Sequence, residues 1–168
     1  MGSMLPSIFA LGLATLFALL LTLRRRSSHG SVAERLAAAR ALALATGVQA
    51  IHFAEEAGTG FHEALPAQFG LPSMSFSIFA AFNLVWLAIW MASVPGLRSS
   101  HPAAFFAAWF LAIAGMFNGI AHPLLAIASG GYFPGLVTSP FIAFASVWVW
   151  RRLLRATGPT GGPEPLGA

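Results

Sequence analysis

Apolar residues run almost unbroken from Met4 to Leu23 and stop at Arg24-Arg25-Arg26. Four more long stretches of the same character follow, separated by short Gly-, Pro- or charge-bearing segments. At 1.5 Å per residue, about 20 such residues cross a hydrocarbon core of roughly 30 Å. The pattern therefore predicts an all-α, polytopic membrane bundle of about five transmembrane helices, spanning about 4–23, 32–57, 73–94, 103–129 and 135–155. Ser31-Val32-Ala33-Glu34 has the spacing in which a serine and the glutamate three residues later cap a helix start reciprocally, so the second helix is expected to begin there. Residues 58–72 read as a loop, Pro95 to Pro102 as a turn, and Gly130-Gly131 as the end of the fourth helix. Tyr132-Phe133-Pro134-Gly135 reads as a turn and no more. Residues 1–156 form one domain with no internal repeat, and the Gly/Pro-rich residues 157–168 are expected to be a disordered tail.

Composition agrees with a bilayer as solvent: 57% of residues are hydrophobic and 8% charged, which would leave a soluble domain of this size with a largely apolar surface. The net charge of +4 raises a nucleic-acid reading, but the basic residues, all arginine, flank the apolar segments as membrane anchors do. Arg24, Arg25, Arg26, Arg35, Arg40, Arg98, Arg151, Arg152 and Arg155 would all lie on one side. By the positive-inside rule that side is cytoplasmic, so the N-terminus is expected outside and the C-terminus inside, in a multi-pass protein of the cytoplasmic (inner) membrane. Because the positive charge follows the first apolar stretch instead of preceding it, that stretch reads as a retained span and not a signal peptide. With no cysteine, thiolate metal sites, disulfides and cysteine nucleophiles are excluded.

The few acids are concentrated. His52, Glu55, Glu56, His62 and Glu63 fall within a dozen positions at the outer end of the second helix. His52 is three residues from Glu55 and four from Glu56, spacings that share a helical face, and such a face offers nitrogen and oxygen ligands to a divalent cation such as zinc or iron. The fourth helix adds Asn118 and His122, one turn apart, at a similar depth if the helices alternate in direction. Against this stands a plainer reading in which these groups sit solvated at the interface, the preferred one for His62 and Glu63. For His52, Glu55 and Glu56 it is weaker, because a charge in the membrane core costs about 2.5–3.5 kcal/mol near the centre. Phe79, Asn83, Trp86 and Trp90 share a face of the third helix and, with Tyr132, are candidates to line a pocket for an apolar substrate. Gly115 and Gly119 form a G-x-x-x-G that permits either a homodimer or close packing within the chain.

Three segments occur in order: His52-Phe53-Ala54-Glu55-Glu56, Asn118-Gly119-Ile120-Ala121-His122, and Tyr132-Phe133-Pro134-Gly135-Leu136-Val137-Thr138. In these the chain resembles the HXXEE family of small bacterial integral membrane proteins over about its middle two-thirds, Pro123 being a possible local departure. The resemblance implies a site at these residues and no established reaction. The leading expectation is a membrane enzyme dependent on zinc or iron, with His52, Glu56 and His122 as ligands and Glu55 as a further ligand or general base. Asn118 would assist catalysis, and the substrate would be a lipid or isoprenoid in the outer leaflet. A second reading uses Glu55 and Glu56 without metal, as an acid/base pair for an isomerase or cyclase acting on an isoprenoid or sterol-like skeleton. A third is non-enzymatic: haem held between His52 and His122, or metal binding alone.

Overall fold

The computed structural model of the chain describes residues 5–26 and 30–159 and is helical almost throughout. Helices α1 (Leu5–Arg24), α2 (Val32–Thr59), α3 (Phe61–Ala67), α4 (Phe76–Arg98), α5 (Pro102–Ala128) and α6 (Ser139–Ala156) follow in order. The one extended feature among the described residues is a two-residue antiparallel pairing of Arg25–Arg26 with Gly158–Pro159. That pairing orders the first residues of the expected tail; the rest of it, 160–168, lies outside the described residues, as does Met4 at the start of the first expected helix.

Helices α2, α4, α5 and α6 close a ring in which each packs on the next, and α1 is applied to the outside of α5. The centre is filled by α5, whose Phe105, Trp109, Phe110 and Leu111 are essentially inaccessible. Small residues set the closest approach. A Cβ added to Gly115 would lie 2.0 Å from Ser146 Oγ, and one added to Gly119 2.3 Å from Ala143 Cβ. The G-x-x-x-G face is thus taken up by α6 of the same chain, which removes it as a homodimer surface.

Four helices, α1, α2, α4 and α5, are long and apolar enough to cross a membrane. Helix α6, expected as a fifth crossing, is 18 residues long and falls outside that group. Its apolar run ends at Trp150, and Arg151, Arg152 and Arg155 occupy its last turns. It begins at Ser139, not at 135, because Gly135 has φ +87 and cannot lie in a right-handed helix.

Helix α2 starts at the expected cap: the Ser31 hydroxyl accepts from the Glu34 N–H at 3.2 Å, while the Ser31 N–H donates to Glu34 Oε2 at 2.8 Å. It ends at Gly60, which is left-handed at φ +85 and turns the chain straight into α3. The segment read as a loop therefore contains a helix. Seven residues are too few to display a helical period, and Pro66 reads as a breaker. Pro66 is tolerated because the carbonyl it leaves unpaired, that of His62, accepts from the Met74 N–H at 2.9 Å. Leu65 then packs with Ala126 and Phe133 in a small second core that anchors α3 over one end of the bundle.

Candidate metal centre

On a helix each residue turns about 100°, so Glu55 and Glu56 diverge from one another on either side of the direction of His52. Glu56 joins His52 on the face turned towards α5. His52 Nε2 lies 3.5 Å and His122 Nε2 3.3 Å from the same atom, Glu56 Oε1, and the three residues are 5% exposed or less. Their candidate ligand atoms all fall within 4.8 Å of one another. The imidazoles meet edge to face with centroids 4.9 Å apart, and Asn118 Nδ2 is 3.2 Å from His52 Nε2.

Glu55 is turned the other way, onto the segment between α5 and α6. Its carboxylate accepts from the Tyr132 hydroxyl at 2.7 Å, the Val137 N–H at 3.0 Å, the Thr138 N–H at 2.8 Å and the Thr138 hydroxyl at 2.5 Å. Four donors occupy the four acceptor positions of an ionised carboxylate. Glu55, expected as a ligand or base, has its carboxylate engaged by these four donors and stands outside the His52, Glu56 and His122 group. An acid/base pair sharing one proton needs its two carboxylates side by side, and these two face different partners.

Hydrogen counting then fixes the imidazoles. The Thr138 hydroxyl has one proton, given to Glu55, so at 2.7 Å it must accept from His52 Nδ1–H. The Pro134 carbonyl can only accept, so His122 Nδ1–H donates to it, also at 2.7 Å. In the neutral rings Nε2 is then the unprotonated nitrogen; both Nε2 atoms are turned towards Glu56 Oε1, and that of His52 also lies within reach of the Asn118 amide. Two ring nitrogens and a carboxylate oxygen converge in a buried site where the Asn118 N–H can serve only His52, so the contacts with Glu56 Oε1 are repulsive unless a cation or a proton lies between the atoms. A porphyrin does not fit between the rings, because the Glu56 carboxylate already occupies that gap.

The turn from Tyr132 to Thr138 does more than reverse the chain: it supplies partners for His52, His122 and Glu55. Gly135 is required both for its positive φ and for space, since a Cβ there would come within 2.4 Å of His122 Cε1 and 3.0 Å of His52 Cε1. Sequence reasoning assigned no role to Thr138, Pro134 or Gly135; the signal available was their position in the third segment shared with the resembled family. Phe61 and Phe133 stand 5.6 and 6.0 Å from the His122 ring and shield it with apolar surface. His62, expected to be solvated, packs against Phe76 at 5.2 Å and Phe79 at 6.2 Å, while Glu63 is exposed.

Residues 41–149 match the family described as protein of unknown function with HXXEE motif. The chain belongs to the HXXEE family. His52, Glu55 and Glu56 are the residues that give the motif its letters, and the match covers α3, α4 and α5 entirely and most of α2 and α6 while leaving out α1. No curated protein and no solved structure matches the chain.

A cavity of about 500 Å³ adjoins the centre, with Glu56, Asn118 and His122 in its wall. Phe79, Asn83, Trp86 and Trp90 line it, together with residues of α1 and α5. Tyr132, expected with them, does not; it is half exposed and bound to Glu55.

Proposed function

We propose that this HXXEE protein is a divalent-metal enzyme of the cytoplasmic membrane, acting on a lipid or isoprenoid substrate from the outer leaflet. His52, Glu56 and His122 would hold the ion, and Asn118, beside His52 Nε2, could offer its amide oxygen by rotating. The reading rests on one observation: two imidazole Nε2 atoms converge on one carboxylate oxygen at 3.3 and 3.5 Å. Ligands at about 2.0–2.1 Å from a tetrahedral zinc stand about 3.3–3.4 Å apart. A set of two histidines and one carboxylate suits zinc and also non-haem iron, and three protein ligands leave a position open for water or substrate. Such an ion would polarise a substrate oxygen and lower the pKa of bound water to about 7.

The Glu55–Thr138–His52 chain of hydrogen bonds gives this reading a further support, because metal-binding imidazoles are normally held through their other nitrogen by a carboxylate or carbonyl. His122 has the same arrangement through Pro134. Glu55 then acts as a positioning residue, through Thr138, and not as a ligand or base.

Metal analysis of the purified protein after loading with zinc or ferrous iron tests the proposal. About one ion per chain is expected in the wild type and none in His52→Ala; equal contents in the two would overturn it. The orientation has its own test, since the chain has no cysteine. Gly131→Cys should react with a membrane-impermeant maleimide on intact cells, and Ser99→Cys only after permeabilisation. The opposite pattern would place the centre at the cytoplasmic face.

A further inference from the structure

The cavity beside the centre is elongated, and its two ends differ chemically. Glu56, Asn118 and His122 lie towards one end, beside Phe61, Leu65 and Leu125; Trp86, Trp90 and Phe110 lie towards the other, with the Trp86 and Phe110 rings 4.3 Å apart and those of Trp86 and Trp90 5.5 Å apart. From His122 to Phe110 is twelve residues of α5, about 18 Å at 1.5 Å per residue. Between the ends the walls are mostly apolar, with Gln49 and Asn83 among them, and Ala10 and Ala14 of α1 and Ala114 of α5 line it with small side chains. At about 500 Å³ the cavity falls in the range of roughly 300–1,000 Å³ that takes one drug-sized ligand. That suits one chain better than two.

The route in follows from the packing of α1. Both α1 and α4 lie against α5, but they are not closely packed on each other, and the cavity lies between them. Ile8 and Phe82, which line it, and Phe9 beside Ile8 are all exposed, as on a surface that a bilayer would cover. A ligand reaching the centre by this path never has to leave hydrocarbon until its polar end meets Glu56.

We infer that the cavity between α1, α4 and α5 binds a single-chain amphiphile, a fatty or linear isoprenoid chain with one polar terminus, which enters sideways between α1 and α4. Its apolar body lies along Ala10, Ala14 and Ala114 and stops at Trp86, Trp90 and Phe110. Its polar terminus lies at Glu56, Asn118 and His122. This names the substrate class for the metal centre proposed above and rests on that reading only for what happens at the polar end; chain binding itself needs no ion. The residues that stop the chain would set its maximum length.

The two tryptophans at the closed end supply the measurement. Protein in detergent is titrated with ω-bromododecanol, whose bromine quenches indole emission at contact, and separately with a two-chain phosphatidylglycerol brominated on both chains. Saturable quenching by the alcohol alone is expected, and competition by unlabelled farnesol against unlabelled dodecanol then ranks isoprenoid against saturated chains. Ala114→Phe, or Ala10→Phe if the first does not fold, should weaken saturable quenching about tenfold, equivalent to about 1.4 kcal/mol, while metal content remains that of the wild type. His52→Ala should lose metal and keep the quenching, so failure of the metal centre and failure of the chain site are read separately. Quenching that rises without saturation in the wild type, or equal quenching by the two-chain lipid, overturns the inference, as does a filled cavity that leaves the titration unchanged.

Discussion

The two ends of the bundle handle charge in opposite ways. At one end, arginines in or next to α1, α2, α4 and α6 stand at least partly exposed, and some bind carbonyls that helix ends leave open: Arg25 donates to those of Leu154 and Thr157 at 3.0 and 2.8 Å, and Arg35 to that of Arg98. Terminal carbonyls lack partners within their own helices, so these contacts are available to almost any cation placed there. At the other end, His52, Glu56 and His122 are buried, and their partners come from helices and turns remote in sequence. Charge at the arginine end is interchangeable, whereas charge at the histidine end depends on atom-by-atom placement. A buried ionisable group with one partner removed is far more costly than an exposed one.

The sharpest break in that comparison is Glu56→Gln, which keeps the shape of the side chain and removes its charge. Metal affinity should fall by more than about 100-fold, beyond the 10–100-fold typical of losing an outer-shell partner, as read by competition with a chromophoric chelator. Wild-type affinity in this variant would show that the carboxylate is not a ligand. Thr138→Val comes next. It cuts the link from Glu55 to His52 without touching the group itself, and a loss of about 10–100-fold is expected, restored by Thr138→Ser; a threonine with only a packing role would not be rescued by the hydroxyl alone. Gly135→Ala should destabilise the fold by about 1–3 kcal/mol from its left-handed backbone and further through the clash with His122. Thermal unfolding in detergent should show this as a lower midpoint, and metal loading should fall with it. The smallest effect belongs to the arginine end, where Arg25→Gln should cost about 1 kcal/mol of stability and leave metal content unchanged. If it cost as much as Glu56→Gln, the contrast between the ends would fail.

Much of this was legible along the chain, because membrane helices announce themselves by length and apolarity. The capping serine at Ser31 was visible for the same local reason: its partner is three residues away. Helix α3 was not, since its seven residues are stabilised by Leu65 meeting Ala126 and Phe133, contacts that no window of sequence contains. At the centre, the spacing of His52 and Glu56 showed that they could share a ligand, and alternating helix directions brought His122 to their level. Glu55 carried the same kind of local signal and went elsewhere. The turn that captured it, residues 132–138, is more than 75 positions away from it, and nothing in the order of residues says that two backbone N–H groups and two hydroxyls will surround that carboxylate.

The sequence by itself determined the solvent, the helical class and the chemical identity of the candidate ligands, because those depend on how many apolar residues follow one another and on which side chains carry lone pairs. Only the tertiary structure decided which glutamate faces the histidines, which nitrogen of each ring faces Glu56, and that a cavity opens beside them. Those are matters of ångströms between residues on different helices, and they are settled by close packing such as that of Gly115 and Gly119 against α6 and by the rule that buried polar groups must find partners.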